Sequence, residues 1–235
     1  MQKTMPSLRT FVLFIPYLVF STVHVVALWI SDTSLSSFTK PLLMLSLLAA
    51  VLFALPRWRN QVALLAALAL VFSWAGDVGM AATGELSFLL ALGFFLIAHV
   101  FYIVLFLRKL RVHRLSLWSL VYLAWWVALV AILAPHAGAL LIPVVIYGLV
   151  LGTMGALALS CHRWVALGGV LFVVSDTILG LNKFLPGFEL WQVDFVIMVT
   201  YLAAQGLIAL GIIGWAWNKN ARAMQASEPA PSEAM

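Results

Sequence analysis

Charge is scarce in this sequence. Asp, Glu, Lys and Arg together make up 9% of its 235 residues, whereas soluble domains carry about a quarter. That deficit excludes an ordinary water-soluble globule and a disordered chain. A single cysteine, Cys161, excludes an internal disulfide framework and any Cys-x-x-Cys metal site. No HExxH, GxSxG or P-loop pattern occurs, so the chemistries that rest on those motifs have no support. No internal repeat is evident, which weighs against an inverted-repeat transporter.

Apolar residues are what is abundant: 65% of the chain, with a mean hydropathy of +1.11. A helix needs roughly 20 apolar residues to cross the hydrocarbon core. Apolar runs lie near 11–30, 40–55, 61–81, 87–107, 115–134, 139–159, 164–181 and 193–216. They predict an all-α membrane protein, a bundle of eight transmembrane helices in one domain over 1–217. The second run is short and is expected to begin at Lys40-Pro41, because proline suits a first helical turn. The first run is too long for a secretory h-region and is read as a helix. Residues 218–235, rich in Ala, Pro, Ser and Glu, are expected to form a disordered cytoplasmic tail.

The excess of 13 Lys and Arg over 8 Asp and Glu would ordinarily raise nucleic acid as a partner. Here the charges sit in short loops, so membrane orientation accounts for them and no nucleic acid is expected. With the N-terminus inside, Lys3, Arg9, Arg57, Arg59, Arg108, Lys109, Arg111, Arg114, Arg163, Lys219 and Arg222 fall on the inner side. Of the 13 basic residues only Lys40 and Lys183 fall outside. That bias predicts both termini in the cytoplasm and, in a bacterial cell, an inner-membrane location.

Two acidic residues fall within predicted helices away from their ends, Asp77 and Asp176. A carboxylate there costs on the order of 2.5–3.5 kcal/mol on insertion scales, so such residues face the bundle interior and often serve function. Both helices run outward, and both residues lie about 6–8 Å short of the outer boundary at the helical rise. The plainer reading of each is a neutral interhelical hydrogen-bond anchor, and the matching depth argues for a shared pocket instead. Polar residues gather near them: Ser73 one turn below Asp77, His99 and Tyr102 on the fourth helix, and Asp194, Tyr201 and Gln205 on the eighth. Lys183 stands two turns above Asp176, and Ser175 and Asn182 form an adjacent stripe. Tyr17, Ser21 and His24 on the first helix, and the small residues Gly76, Gly168 and Gly169, read more simply as anchoring and packing.

Paired carboxyls in an apolar pocket suit acid–base chemistry, one as acid and one ionised. Cys161 and His162 lie far away and, being adjacent, do not face one another as a nucleophile pair would. A metal site built from Asp77, Asp176 and His99 lacks a ligand-spaced pair.

Several segments resemble the lysoplasmalogenase (YhhN-like) family of multi-pass membrane hydrolases. They are Ser73-x-x-Gly76-Asp77-x-x-Met80, Phe95-x-x-Ala98-His99-x-x-Tyr102, Gly169-x-x-Phe172-x-x-Ser175-Asp176-x-x-Leu179-x-x-Asn182-Lys183-Phe184 and Tyr201-x-x-Ala204-Gln205. Lys40-Pro41 fits that family's second-helix start, and Met80 stands where leucine is expected. The resemblance implies hydrolysis of the vinyl ether bond of lysoplasmalogens to a fatty aldehyde and glycerophosphoethanolamine or glycerophosphocholine. It marks Asp77 and Asp176 as the catalytic pair and implies no metal and no organic cofactor. The partners are then the lysophospholipid and surrounding lipid, with no obligate protein partner.

Protonation of the vinyl β-carbon by one carboxyl fits this chemistry, with the other stabilising the resulting cation. Which aspartate is the acid stays open, with Asp176 preferred. Ser73, His99, Tyr102, Ser175, Tyr201 and Gln205 are expected to support substrate or water. Lys40, Asn182 and Lys183 are expected to meet the phosphate or glycerol at the outer leaflet. The alternative from another class is a proton-coupled transporter built on the same aspartates, which predicts polar residues through the full depth. An intramembrane aspartyl protease would want Gly-x-Gly-Asp, and Trp74-Ala75-Gly76-Asp77 lacks the first glycine.

Overall fold

The structure, a computed structural model, describes residues 8–55 and 61–227. Lys3, Arg57 and Arg59 of the charge argument, and residues 228–235 of the expected tail, lie outside the described residues. Eight α-helices follow one another: α1 Leu8–Trp29, α2 Thr33–Ala54, α3 Gln61–Ala81, α4 Glu85–Leu105, α5 Leu120–Leu133, α6 Leu141–Ala158, α7 Arg163–Phe184 and α8 Val193–Ser227. Among the described residues there is no strand.

Seven of the helical segments are long and apolar enough to cross a membrane. The exception is α5, which with its preceding 3-10 turn covers Leu117–Leu133. Its 17 residues reach roughly 25 Å at the helical rise, short of a hydrocarbon core of about 30 Å. This helix is apolar all round, and only Tyr122 and Leu133 are buried. It packs on α6 and α7 at the rim of the bundle.

The second helix begins earlier than the sequence suggests. Thr33–Lys40 is too polar to stand out by hydropathy, but Asp32 caps the helix, its Oδ1 accepting the Leu35 N–H at 2.9 Å. Pro41 therefore sits inside α2 rather than in its first turn. Its carbonyl accepts the Trp74 indole N–H at 3.1 Å, tying α2 to α3. At the other terminus α8 continues to Ser227, past residue 218, where disorder was expected to begin.

Helix α8 is the axis of the fold. Over an apolar stretch of 18 residues within it 67% are buried, against at most 44% in the corresponding stretch of any other span. It touches α1, α2, α3 and α7. Tyr17 of α1 donates to the Leu202 carbonyl at 2.6 Å, and Trp217 donates to the Ala54 carbonyl at 3.0 Å. Where α7 meets α8 there is no room for a side chain: a methyl group on Gly168 would stand 2.8 Å from the Ala204 carbonyl oxygen. Close backbone approach of this kind supplies packing between membrane helices. Gly168→Ala should cost about 1–3 kcal/mol through overpacking. Thermal unfolding in detergent will show a clear loss relative to Gly180→Ala, whose methyl would meet only a Leu133 methyl at 3.5 Å.

Trp29, Trp191 and Phe195 form an edge-to-face cluster where α1 ends and α8 begins, with centroids 5.0–6.4 Å apart. Such aromatics favour the membrane–water boundary. At the opposite end the Ser160 carbonyl accepts the Val112 and His113 N–H groups at 2.9 and 3.0 Å. Those bonds join the α4–α5 and α6–α7 connections.

Candidate active site

Two helices that run in opposite directions supply one half of the site. On α3, Ser73 and Asp77 are one turn apart; on α8, so are Tyr201 and Gln205. Facing each other they make two rungs. Tyr201 donates to Asp77 Oδ2 at 2.9 Å, and Gln205 Nε2 donates to Ser73 Oγ at 3.0 Å. Gln205 Nε2 also lies 3.3 Å from the Tyr201 hydroxyl, and Tyr102 of α4 donates to Gln205 Oε1 at 2.6 Å. Asp77 is 4% exposed, and Ser73, Tyr102, Tyr201 and Gln205 are buried as well. Each group in this lattice finds a partner in the protein, which is how polar side chains persist in an apolar bundle.

The other half stands on α6 and α7. Tyr147 donates to Asp176 Oδ2 in a short hydrogen bond. Ser175 turns away from the carboxyls, its hydroxyl donating to the Ile197 carbonyl at 3.0 Å. It ties α7 to α8.

His99 of α4 lies between the halves, fully buried. Its ring meets Tyr147 edge-on at 5.4 Å and Phe172 at 4.8 Å, and Phe172 meets Tyr201 at 5.4 Å. One continuous line of contacts thus runs from Asp77 through Tyr201, Phe172, His99 and Tyr147 to Asp176. The two carboxyls lie within electrostatic reach of each other.

A cleft of about 430 Å³ opens at the ends of α3 and α7. Met80 and Leu179 line it, each three residues beyond an aspartate, so it begins about one turn above the carboxyls. Asn182 and Lys183 stand at its rim with Thr83. The Lys183 ammonium lies 5.0 Å over the Phe88 ring, an attraction that holds the cation at the mouth.

Lys40 is not part of this cleft. It is half-buried on α2 beside Pro41, and its charge acts on Asp77. Asp194 is exposed in the first turn of α8 and joins neither rung. Tyr17 and His24 are engaged elsewhere, His24 Nδ1 lying 2.8 Å from Thr39 Oγ1. Gly76 leaves room for the Phe95 ring, which a methyl group would approach to 2.7 Å.

Sequence reasoning missed Tyr147. An isolated tyrosine in an apolar run reads as an interfacial anchor. Its depth was the available signal: it is the seventh residue of α6, about 9 Å in from the helix start, close to the level of Asp176.

Cys161 lies at the other end of the bundle, its thiol facing the Leu157 carbonyl at 3.6 Å. Burial pushes this thiol up to about 12. A buried, protonated thiol is a poor nucleophile. Maleimide should therefore label the folded protein slowly, and Cys161→Ala should keep full activity, as a thiol-block time course with mass spectrometry will show.

The model of the YhhN family matches residues 35–212, which includes every side chain of the two rungs, His99, Tyr147, Asp176 and the cleft. This chain belongs to the YhhN family. It is similar to lysoplasmalogenase TMEM86B of Rattus norvegicus, at 33% identity over 128 residues. The match covers 54% of this chain and 53% of the rat protein, so the chain spans about half the length of that curated relative. No solved structure matches. The YhhN-family protein described here is an all-helical integral membrane protein.

Proposed function

We propose that this YhhN-family protein is a lysoplasmalogenase that hydrolyses the vinyl ether bond of alkenyl-glycerophosphoethanolamine or alkenyl-glycerophosphocholine. The observation that supports the proposal is a pair of buried aspartates, Asp77 and Asp176, each bonded by its own tyrosine, joined by that line of aromatic contacts and lying about one turn from a cleft with Lys183 at its mouth. The family match and the name of the rat relative point to the same reaction. In this reading all eight helices cross a bacterial inner membrane, the short α5 by local thinning of the bilayer around it, with both termini in the cytoplasm and the cleft open toward the outer leaflet.

Vinyl ether hydrolysis begins when an acid protonates the β-carbon. The double-bond electrons form the new C–H bond, leaving an oxocarbenium ion at the carbon attached to oxygen. Asp176 donates that proton, its free oxygen facing substrate while Tyr147 fixes the other. Asp77, with Lys40 as its charge partner, is the carboxylate that stabilises the cation. Water adds to the cationic carbon to give a hemiacetal, which breaks its bond to the glycerol oxygen and releases aldehyde and glycerophospholipid headgroup. Ser73, Tyr102 and Gln205 position Tyr201 and through it Asp77. Ser175 fixes α7 against α8. Lys183 and Asn182 receive the phosphate and glycerol at the mouth. The chemistry needs neither metal nor organic cofactor, and no protein partner.

Purified protein in detergent should release fatty aldehyde from a lysoplasmalogen and nothing from the matched saturated ether or ester lysolipid. Equal turnover of the ester would contradict the proposal. A folded protein with no turnover that instead moved protons in liposomes would favour the transporter reading.

A further inference from the structure

The buried polar side chains of the site fall into two sets. Ser73, Tyr102, Tyr147, Tyr201 and Gln205 all find hydrogen-bond partners within the protein. His99 does not: it is fully buried, and neither ring nitrogen has a partner. The Phe95 carbonyl, one turn earlier on α4, lies nearby but falls short of hydrogen-bond geometry. A neutral imidazole carries one N–H and one lone pair, and an apolar bundle does not bury both without return. The ring is held in place all the same, edge-on to Tyr147 at 5.4 Å and to Phe172 at 4.8 Å. A side chain fixed by aromatic contacts, one residue removed from Asp176 through Tyr147, and left with free polar atoms is built to face a ligand.

From this geometry we infer that His99 binds the water molecule that attacks the oxocarbenium carbon, an assignment that rests on the hydrolase reading. With one nitrogen turned toward the Phe95 carbonyl, the other accepts a hydrogen bond from the water and aims its oxygen at the substrate. The new bond joins water oxygen to the cationic carbon. The proton released passes to the Asp176 carboxylate, which gave one up in the preceding step, so the acid is restored for the next cycle. Tyr147 bonds Asp176 and touches His99, which places the water beside the group that takes its proton. Collapse of the hemiacetal then moves the hydroxyl proton to the departing glycerol oxygen, and the overall reaction consumes one water.

The test uses His99→Leu and His99→Gln in the full chain. Replacing an unpartnered imidazole by an apolar group should leave thermal stability unchanged or raise it. Activity of His99→Leu should fall on the order of 100-fold, with the loss in kcat and little change in KM. His99→Gln, which keeps an acceptor, should recover part of it. Two further readouts separate water binding from packing. Protonation of carbon limits the wild-type rate and gives a normal solvent deuterium isotope effect. In His99→Leu water attack becomes limiting and that effect falls to unity or below. In aqueous methanol, moreover, the variant should accumulate the mixed acetal, substrate plus one methanol, while the wild type still yields aldehyde. His99→Leu with wild-type kcat, or with lost kcat but an unchanged isotope effect and no mixed acetal, would overturn the assignment. A folded wild type that releases no aldehyde would sink the hydrolase reading itself, and the assignment with it.

Discussion

Asp176→Asn should reduce vinyl ether hydrolysis by at least about a thousandfold, within the range by which positioned acids accelerate reactions. Asparagine keeps the size of the side chain and can still accept from Tyr147, yet it has no acidic proton to give to carbon. The helix should stay in place, because Asp176 contributes one hydrogen bond and no structural ion pair is found for it among the described residues. Asp77→Asn should be comparably damaging for a different reason. It removes the negative charge that faces the developing cation, and it leaves Lys40 without the charge it acts upon. Aldehyde release, measured against circular dichroism and melting temperature for each variant, checks both. Activity in either variant within tenfold of wild type would exclude that residue from the chemistry.

Gln205→Leu should have the largest effect on stability. This side chain is fully buried and joins Ser73, Tyr201 and Tyr102. Leucine removes all three contacts at once and leaves the Tyr102 hydroxyl without its acceptor. Interhelical hydrogen bonds in membranes are worth about 0.6–1.7 kcal/mol each, and a buried group left unsatisfied costs about 1–3 kcal/mol. A total near 2–4 kcal/mol follows, since such terms do not add fully. Activity should fall too, because Tyr201 loses the neighbour that orients its hydroxyl. Tyr201→Phe is the informative comparison: it should lower activity while sparing most of the stability. Equal melting temperatures for Gln205→Leu and wild type would show that the lattice does not hold the bundle together.

The aspartates were legible in the sequence for an energetic reason. A carboxyl inside an apolar run is costly, so Asp77 and Asp176 drew attention without any structure, and helical rise put them at one depth. Helical spacing likewise gave the stripes of Ser73 with Asp77 and Tyr201 with Gln205. Spacing cannot say which stripe faces which, and the two-rung pairing of α3 with α8 came only from packing. Tyr147 was hidden because a tyrosine in a membrane helix costs little and so carries no warning. By hydropathy the polar segment Thr33–Lys40 reads as a loop, which puts Lys40 near the outer surface. Because Asp32 caps that segment as helix, Lys40 lies a third of the way along α2, where its charge acts on Asp77. The length of α5 and the continuation of α8 to Ser227 were misjudged for the same reason. Hydropathy reports where apolar residues are, whereas caps and local hydrogen bonds decide where helices end.

The proposed mechanism turns on protonation of the vinyl carbon of a lysoplasmalogen by a carboxyl of this site. It is tested most directly by running the reaction with purified protein in deuterated water and trapping the aldehyde at once. An aldehyde of full chain length carrying one deuterium on the carbon next to the carbonyl should be formed by the wild type and lost in Asp176→Asn. Aldehyde without deuterium at that carbon, or a labelled aldehyde formed equally fast by Asp176→Asn, would contradict it.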